Sequence, residues 1–151
     1  MTRNLGKLLL ALCLLTVGGG IVANAQIDTG VTIRADVPYA FMVGDTTLQA
    51  GKYEIRALDD MPGVLELRSV SGHTVVNVDA ESVKTKDEKI ANKCELVFDK
   101  VGDKYFLSQV FVAGSSTGSE LAKSRMEKRL EGDGGQPERH SIAAILRRLK
   151  P

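Results

Sequence analysis

Val37-Pro38-Tyr39-Ala40-Phe41-Met42-Val43-Gly44, then Asp45-Thr46-Thr47-Leu48-Gln49-Ala50-Gly51, then Lys52-Tyr53-Glu54-Ile55-Arg56-Ala57-Leu58 is the stretch that decides the fold class. It reads as strand, turn-rich connection, strand. Side chains alternate across a strand, so Tyr39, Phe41 and Val43 share one face of the first run, and Tyr53 and Ile55 share one face of the second. Pro38 cannot donate to a ladder and suits a strand start or a sheet edge. Gly44 and Asp45 mark a turn, Leu48 is placed to plug the core from within the connection, and Gly51 lets the chain re-enter the sheet.

Working outward toward the N-terminus, Val31 and Ile33 alternate with Thr32 and Arg34 in a short strand. Before it, residues 1–25 have the grammar of a secretory signal. Arg3 and Lys7 are basic, Leu8 to Val17 is apolar, and Ala23-Asn24-Ala25 predicts cleavage before Gln26. The apolar run is too short to span a bilayer, so no transmembrane segment is expected after cleavage. The expectation is an exported protein, periplasmic or extracellular.

Cleavage would leave 126 of the 151 residues, enough for one domain with a modest core. With Arg3 and Lys7 gone, 18 basic and 19 acidic residues remain, and that balance implies no nucleic-acid partner. Of the two cysteines only Cys94 lies outside the signal, so an intramolecular disulfide is ruled out. Cys94 is in phase with Leu96 and Phe98 and reads as a buried, inert thiol.

Toward the C-terminus, Pro62-Gly63 is a turn, and its neighbours Asp59 and Asp60 lack the ligand series of a calcium loop. Val64 to Val70 places Leu65 and Leu67 on one face, Glu66 and Arg68 on the other. The following strand sets Val76, Val78 and Ala80 opposite Val75, Asn77 and Asp79. Residues 84–93 are charged and read as a solvated loop with both signs mixed. Cys94 to Lys100 and Lys104 to Ala113 form a second hairpin around Gly102-Asp103. Its returning strand carries Tyr105, Leu107 and Phe111 on one face and Phe106, Val110 and Val112 on the other, which points to burial on both sides or a partner surface.

Residues 26–118 are thus read as the β domain. Thr117 and Glu120 have capping-box spacing and predict a surface helix over 119–131. Residues 132–137 form a glycine-rich linker. Ile142, Ile145, Leu146 and Leu149 recur at helical spacing among Arg139, Arg147, Arg148 and Lys150, predicting an amphipathic basic helix over 138–151. The fold class expected is mainly β: a single antiparallel β-sandwich or partly open β-barrel of about six to eight strands with one or two C-terminal helices.

The sequence supplies no catalytic constellation. Gly114-Ser115-Ser116-Thr117-Gly118 has the form Gly-x-Ser-x-Gly, with Asp133 and His140 following in hydrolase order. That elbow needs an α/β sheet, which this chain does not pattern. The same glycines lack a lysine for a phosphate loop, and with only His73 and His140 no metal-ligand spacing exists. No catalytic residue, cofactor or metal ligand is assigned. The expectation is a non-enzymatic binding or structural/interaction module with an unidentified protein partner. Its candidate partner surface is Tyr105, Phe106, Val110, Val112, Ile142, Ile145, Leu146 and Leu149. The alternatives are a barrel enclosing an apolar ligand and, behind it, a small serine hydrolase using Ser116.

The run Val37, Pro38, Tyr39, Phe41, Val43, Gly44, Leu48, Ala50, Gly51, Tyr53 resembles the opening of a group of short, uncharacterised bacterial secreted β-rich proteins. Their pattern is close to Val-Pro-Phe-x-Phe-x-Val-Gly, then Leu-Pro-Ala-Gly-x-Tyr. Tyr39 stands for the usual Phe and Gln49 for the usual Pro. Further similarity covers Leu96 to Phe98, Gly102 to Leu107 and Gly118 to Arg125. The resemblance implies a shared β-rich fold and export, and brings no activity or site residues.

Overall fold

The computed structural model describes residues 30–148. The signal-peptide reading over residues 1–25 and the residue Leu149 lie outside that range. Ten strands and one α-helix follow in order: β1 Val31–Val37, β2 Phe41–Val43, β3 Thr46–Leu48, β4 Gly51–Ala57, β5 Val64–Ser69, β6 Val75–Lys84, β7 Cys94–Val101, β8 Lys104–Phe111, β9 Thr117–Leu121, α1 Arg125–Gly132 and β10 Glu138–Arg148. Eight strands close into an antiparallel barrel in the cyclic order β1, β4, β5, β6, β9, β8, β7, β10. Of the two expected architectures the chain adopts the barrel.

The opening stretch divides as its residues demand. Val37 ends β1, Pro38 lies in the corner outside any ladder, and Phe41 to Leu48 form the short hairpin β2–β3. The hairpin attaches to β8 through a parallel bridge between Met42 and Phe106. β8 therefore shares one edge between two partners, β2 beside Phe106 and β9 from Gln109 onward. Leu48 is buried in the core, as its plug role requires.

An eight-stranded barrel has an interior just wide enough for side chains to fill. Ile33, Ile55, Leu67, Leu96, Phe98 and Val110 are buried in one cluster with Phe41. Phe41 meets Tyr53 and Phe98 edge to face at 5.2 and 5.4 Å. Cys94 is buried in this cluster, where its sulfur accepts the Ala113 N–H at 3.3 Å.

Two helix predictions are corrected. Residues 138–148 form β10, not a helix, with β7 on one edge and β1 on the other. Ile142, Ala144 and Leu146, two residues apart, pack against the core, whereas Ile145 is 70% exposed. The alanines diluted the period-2 signal, and the two open edges on β7 and β1 decided for strand. The start of the predicted 119–131 helix is likewise β9, paired with both β6 and β8. The helix begins at Arg125, capped by Ser124, seven residues beyond Thr117; the Ser124 hydroxyl accepts the Glu127 N–H at 3.0 Å. Ser124 and Glu127 repeat the Thr117 and Glu120 spacing, and barrel closure claims the first copy.

α1 packs outside the barrel on β7. Its N-terminal residue Arg125 donates from both its backbone amide and its guanidinium to Asp45 in the β2–β3 turn, at 3.2 and 2.9 Å. The following turn sits on Val101: a Cβ on Gly135 would lie 2.6 Å from Val101 Cγ1 and 2.7 Å from the Leu130 carbonyl oxygen. The stretch read as a linker, 132–137, holds the last residue of α1 and a turn fitted against Val101.

Candidate functional site

The face assignment along β8 changes at one residue. Val97 on β7 pairs with Gln109, but Phe98 pairs with Leu107, leaving Ser108 as an extra residue in β8. A bulge of this kind inverts the alternation beyond it. Tyr105, Leu107, Val110 and Val112 therefore belong with the core, while Phe106, Gln109 and Phe111 lie outside that cluster. The expected division into Tyr105, Leu107, Phe111 against Phe106, Val110, Val112 is corrected on this ground.

The candidate partner surface consequently does not form one surface. Val110 and Val112 are core, and Phe106 is buried outside the central cluster. Ile142 and Leu146 are half-buried against the core, while Ile145 is exposed. Tyr105 is at the barrel end, stacked on Tyr39 at 3.7 Å between ring centroids and meeting His140 edge-on at 5.5 Å. The Lys100 ammonium lies 5.5 Å from the Tyr105 ring centre. Burial and then the neighbouring Tyr105 push the Tyr39 phenol above its ordinary range.

The bulge instead builds a different feature. By turning Gln109 and Phe111 outward it lets them join Glu95, Val97, Arg139 and Ser141 as the floor and side of a groove of about 750 Å³ on the barrel's outer wall. The other lip is the connection from β6 to β7, residues 84–93, read from sequence only as a solvated loop. That arm is fixed in place. Thr85 N–H donates to the Ser116 carbonyl at 3.0 Å, Ala91 N–H to Ser115 at 2.8 Å, and Gly114 N–H to Ala91 at 2.8 Å. The Thr85 hydroxyl lies within hydrogen-bond reach of the carbonyls of both Lys89 and Ser116. Glu88 takes a left-handed conformation at φ 55°, unusual for a side chain of its size, so the arm's path is held by its surroundings.

Cations outnumber carboxylates among the groove's lining residues. Lys84, Lys86, Lys89 and Lys93 come from the arm and Arg139 from β10, against the single carboxylate Glu95 among its lining residues. Three of these cations have partners: Lys84 with Glu88 at 2.6 Å, Lys93 with Glu95 at 3.4 Å and Arg139 with Asp99 at 3.6 Å. The hydrogen bond from Lys84 holds the Glu88 carboxyl below its usual range. Apolar surface is supplied by Val97 and Phe111, and by Ile90, which is 68% exposed on the arm.

The remaining outer wall is different. Across β1, β4 and β5 a charged ladder runs through Arg34, Glu54, Arg68, Glu66 and Arg56 in cross-strand register. The Glu66 carboxylate accepts from Arg56 at 2.9 Å and from Arg68 at 3.3 Å, and is held below its ordinary range chiefly by the Arg56 hydrogen bond. A lipid-facing barrel wall needs an apolar band, which this ladder interrupts. Among the described residues no helix is long and apolar enough to cross a membrane.

Ser116 is exposed in the turn between antiparallel β8 and β9, where its carbonyl serves the arm. The strand-to-helix context of a nucleophile elbow is not what surrounds it. Asp133 caps the end of α1, and His140 packs against Tyr105 on β10. Among the described residues no group of three or more His, Cys, Asp or Glu is placed to hold a metal ion. Comparisons with protein-family models, with curated proteins and with solved structures yield no match.

Proposed function

We propose that this chain is an exported, non-enzymatic binding module whose binding surface is the outer groove between the 84–93 arm and the wall formed by β7, β8 and β10. The observation that carries this reading is the groove itself: concave, about 750 Å³, with Phe111 and Ile90 as apolar surface beside lysines on the arm. That size falls in the range of roughly 300 to 1,000 Å³ typical of ligand sites. The barrel interior is occupied by its own side chains, Phe41 and Phe98 among them, which favours a ligand on the outside over an enclosed one. The groove's walls stand on paired strands and a hydrogen-bonded arm, so it is formed before any ligand arrives.

A fragment library screened by protein-observed NMR tests this. The expected result is amide shifts concentrated on Val97, Gln109, Phe111 and Ala91. Shifts gathered at the Tyr39 and Tyr105 end of the barrel, or within the core, would transfer the site there and defeat the groove. Resistance of ester turnover to Ser116→Ala, if any turnover is seen with a broad ester panel, is the companion expectation.

A further inference from the structure

Resting on the groove as the binding site, we propose that its ligand is a monomeric amphiphilic anion: one acidic head carrying a hydrocarbon tail. The groove separates its chemistry in space. Lysines stand along the arm and Arg139 on β10, while Phe111 supplies apolar surface beside the nearly buried Val97. Ile90 extends that surface onto the arm itself, an isoleucine held 68% exposed in a segment fastened by three backbone hydrogen bonds.

A neutral apolar ligand would use the apolar surface and leave Lys86 and Lys89 idle. A polyanion would use the cations and leave Phe111 and Ile90 uncovered, and it would need positive charge continued along the wall. Instead the cations at the groove are interspersed with carboxylates: Glu88, Glu95 and Asp99 pair with Lys84, Lys93 and Arg139, and Gln109 donates to Glu120 at 3.0 Å. One head and one tail satisfy both halves of the site. The head need not break the existing ion pairs, since Lys84, Lys93 and Arg139 are each more than half exposed and have donors to spare. Phe111 is half-buried in the groove, which suits a ligand free in solution over one embedded in a bilayer.

The probe is decanoate below its micelle concentration, titrated into the purified protein and followed by amide NMR. Decanol and decyltrimethylammonium serve as neutral and cationic tails of equal length. Decanoate is expected to saturate shifts at Val97, Gln109 and Phe111, and to weaken as salt screens the cations. The double substitution Lys86→Glu with Lys89→Glu is expected to lower its affinity about fivefold or more, since two like charges would then face the head. Phe111→Ala should weaken all three tails together, with circular dichroism showing that the variants remain folded.

If decanol matches decanoate at the groove, the anionic assignment is overturned while the groove remains a binding site. If no tail shifts groove residues, the amphiphile inference is overturned, and the fragment screen separately decides the groove. Co-sedimentation with phosphatidylglycerol vesicles separates the sources: a protein that pellets with vesicles yet ignores decanoate would make the partner a membrane surface and sink the proposal.

Discussion

Gly118→Ala is the substitution most sharply predicted by this barrel. Gly118 lies on β9, paired with Phe111 of β8 on one side and Val83 of β6 on the other. Its backbone is in an ordinary region, so alanine meets no conformational strain, and replacement at such a position usually stabilises by about 0.4 to 1 kcal/mol through the unfolded chain. Contact reverses that sign. A Cβ at 118 would lie 2.6 Å from the Val110 carbonyl oxygen, 2.7 Å from Phe111 Cε1, and closer still to Phe111 Cδ1. A ring can swing away, but the Val110 carbonyl belongs to a residue paired with Leu96 and Ser119 on its two sides. Relief therefore requires parting β9 from β8, the seam that closes the barrel. Overpacking typically costs about 1 to 3 kcal/mol, and a backbone obstacle places this case near 2 to 3. Urea denaturation checks it: with a slope of about 1 to 3 kcal/mol per molar, the midpoint should fall by about 1 M with the slope unchanged. Gly132→Ala is the control, because nothing lies within 4 Å of a Cβ there and α1 should gain up to about 1 kcal/mol. In a double-mutant cycle, Phe111→Ala should rescue Gly118→Ala only in part. A Gly118→Ala variant as stable as the parent, or full rescue by removing the ring, would refute the argument.

Three further outcomes are expected. Glu127, on α1, is 4% exposed with one carboxylate oxygen lacking a partner, and its carboxyl is pushed up by burial, with Lys123 opposing and Asp99 and Glu131 adding to it. A carboxyl raised in the folded state makes stability fall as pH rises from the unfolded value of about 4.3 through the folded value. Glu127→Gln should accordingly stabilise at neutral pH by on the order of 1 kcal/mol and flatten that slope, and a destabilised Gln variant at pH 7 would contradict it. Glu66 has the opposite sign: its contribution is present above about pH 4.3 and is lost as pH falls through the lowered folded value, so Glu66→Gln should cost about 1 kcal/mol at pH 7 and nothing well below both values. For β10, Ile145→Asp should change the denaturation midpoint little, whereas Ile142→Asp should lower stability by at least about 2 kcal/mol. Equal effects would argue for the helix.

The parts of the fold that were legible were those where one strand face meets water and the other meets the core. Leu65 and Leu67 against Glu66 and Arg68 could be read directly, as could Cys94, Leu96 and Phe98 on β7. Three failures share a cause in long-range pairing. Ser108 carries no local mark of a bulge, yet one inserted residue moved Val110 and Val112 inward and Phe111 outward. Thr117 to Leu121 presents a helix cap to any local reading, and it became a strand because β6 and β8 each had an edge to fill. In β10, Ala143 and Ala144 hide the alternation that Ile142 and Leu146 would otherwise show. The groove was illegible for another reason. Its lysines look like any solvated loop until the contacts of Thr85 and Ala91 with Ser115 and Ser116 reveal what the arm is fastened to.

Those contacts tie the groove to the closure of the barrel. β6 changes partners along its length, pairing with β5 from Val75 to Asp79 and with β9 from Ala80 to Lys84. The second half carries the chain to β9, whose other edge joins β8, so the arm leaving Lys84 emerges beside the β8–β9 turn and not beside β5. The turn's carbonyls at Ser115 and Ser116 are then within reach of Thr85 and Ala91, and the arm is held along the outside of β8 and β7. The bulge at Ser108 acts on the same strand, turning Phe111 outward beneath that arm and over Gly118. Anything that loosens the β6–β9–β8 seam should therefore open the groove before it melts the barrel. Hydrogen exchange in Gly118→Ala is expected to rise first at the Ala91 and Gly114 amides, with the β1–β4–β5 ladder protected longer. Uniform loss of protection across both regions would separate groove from closure and undo this account.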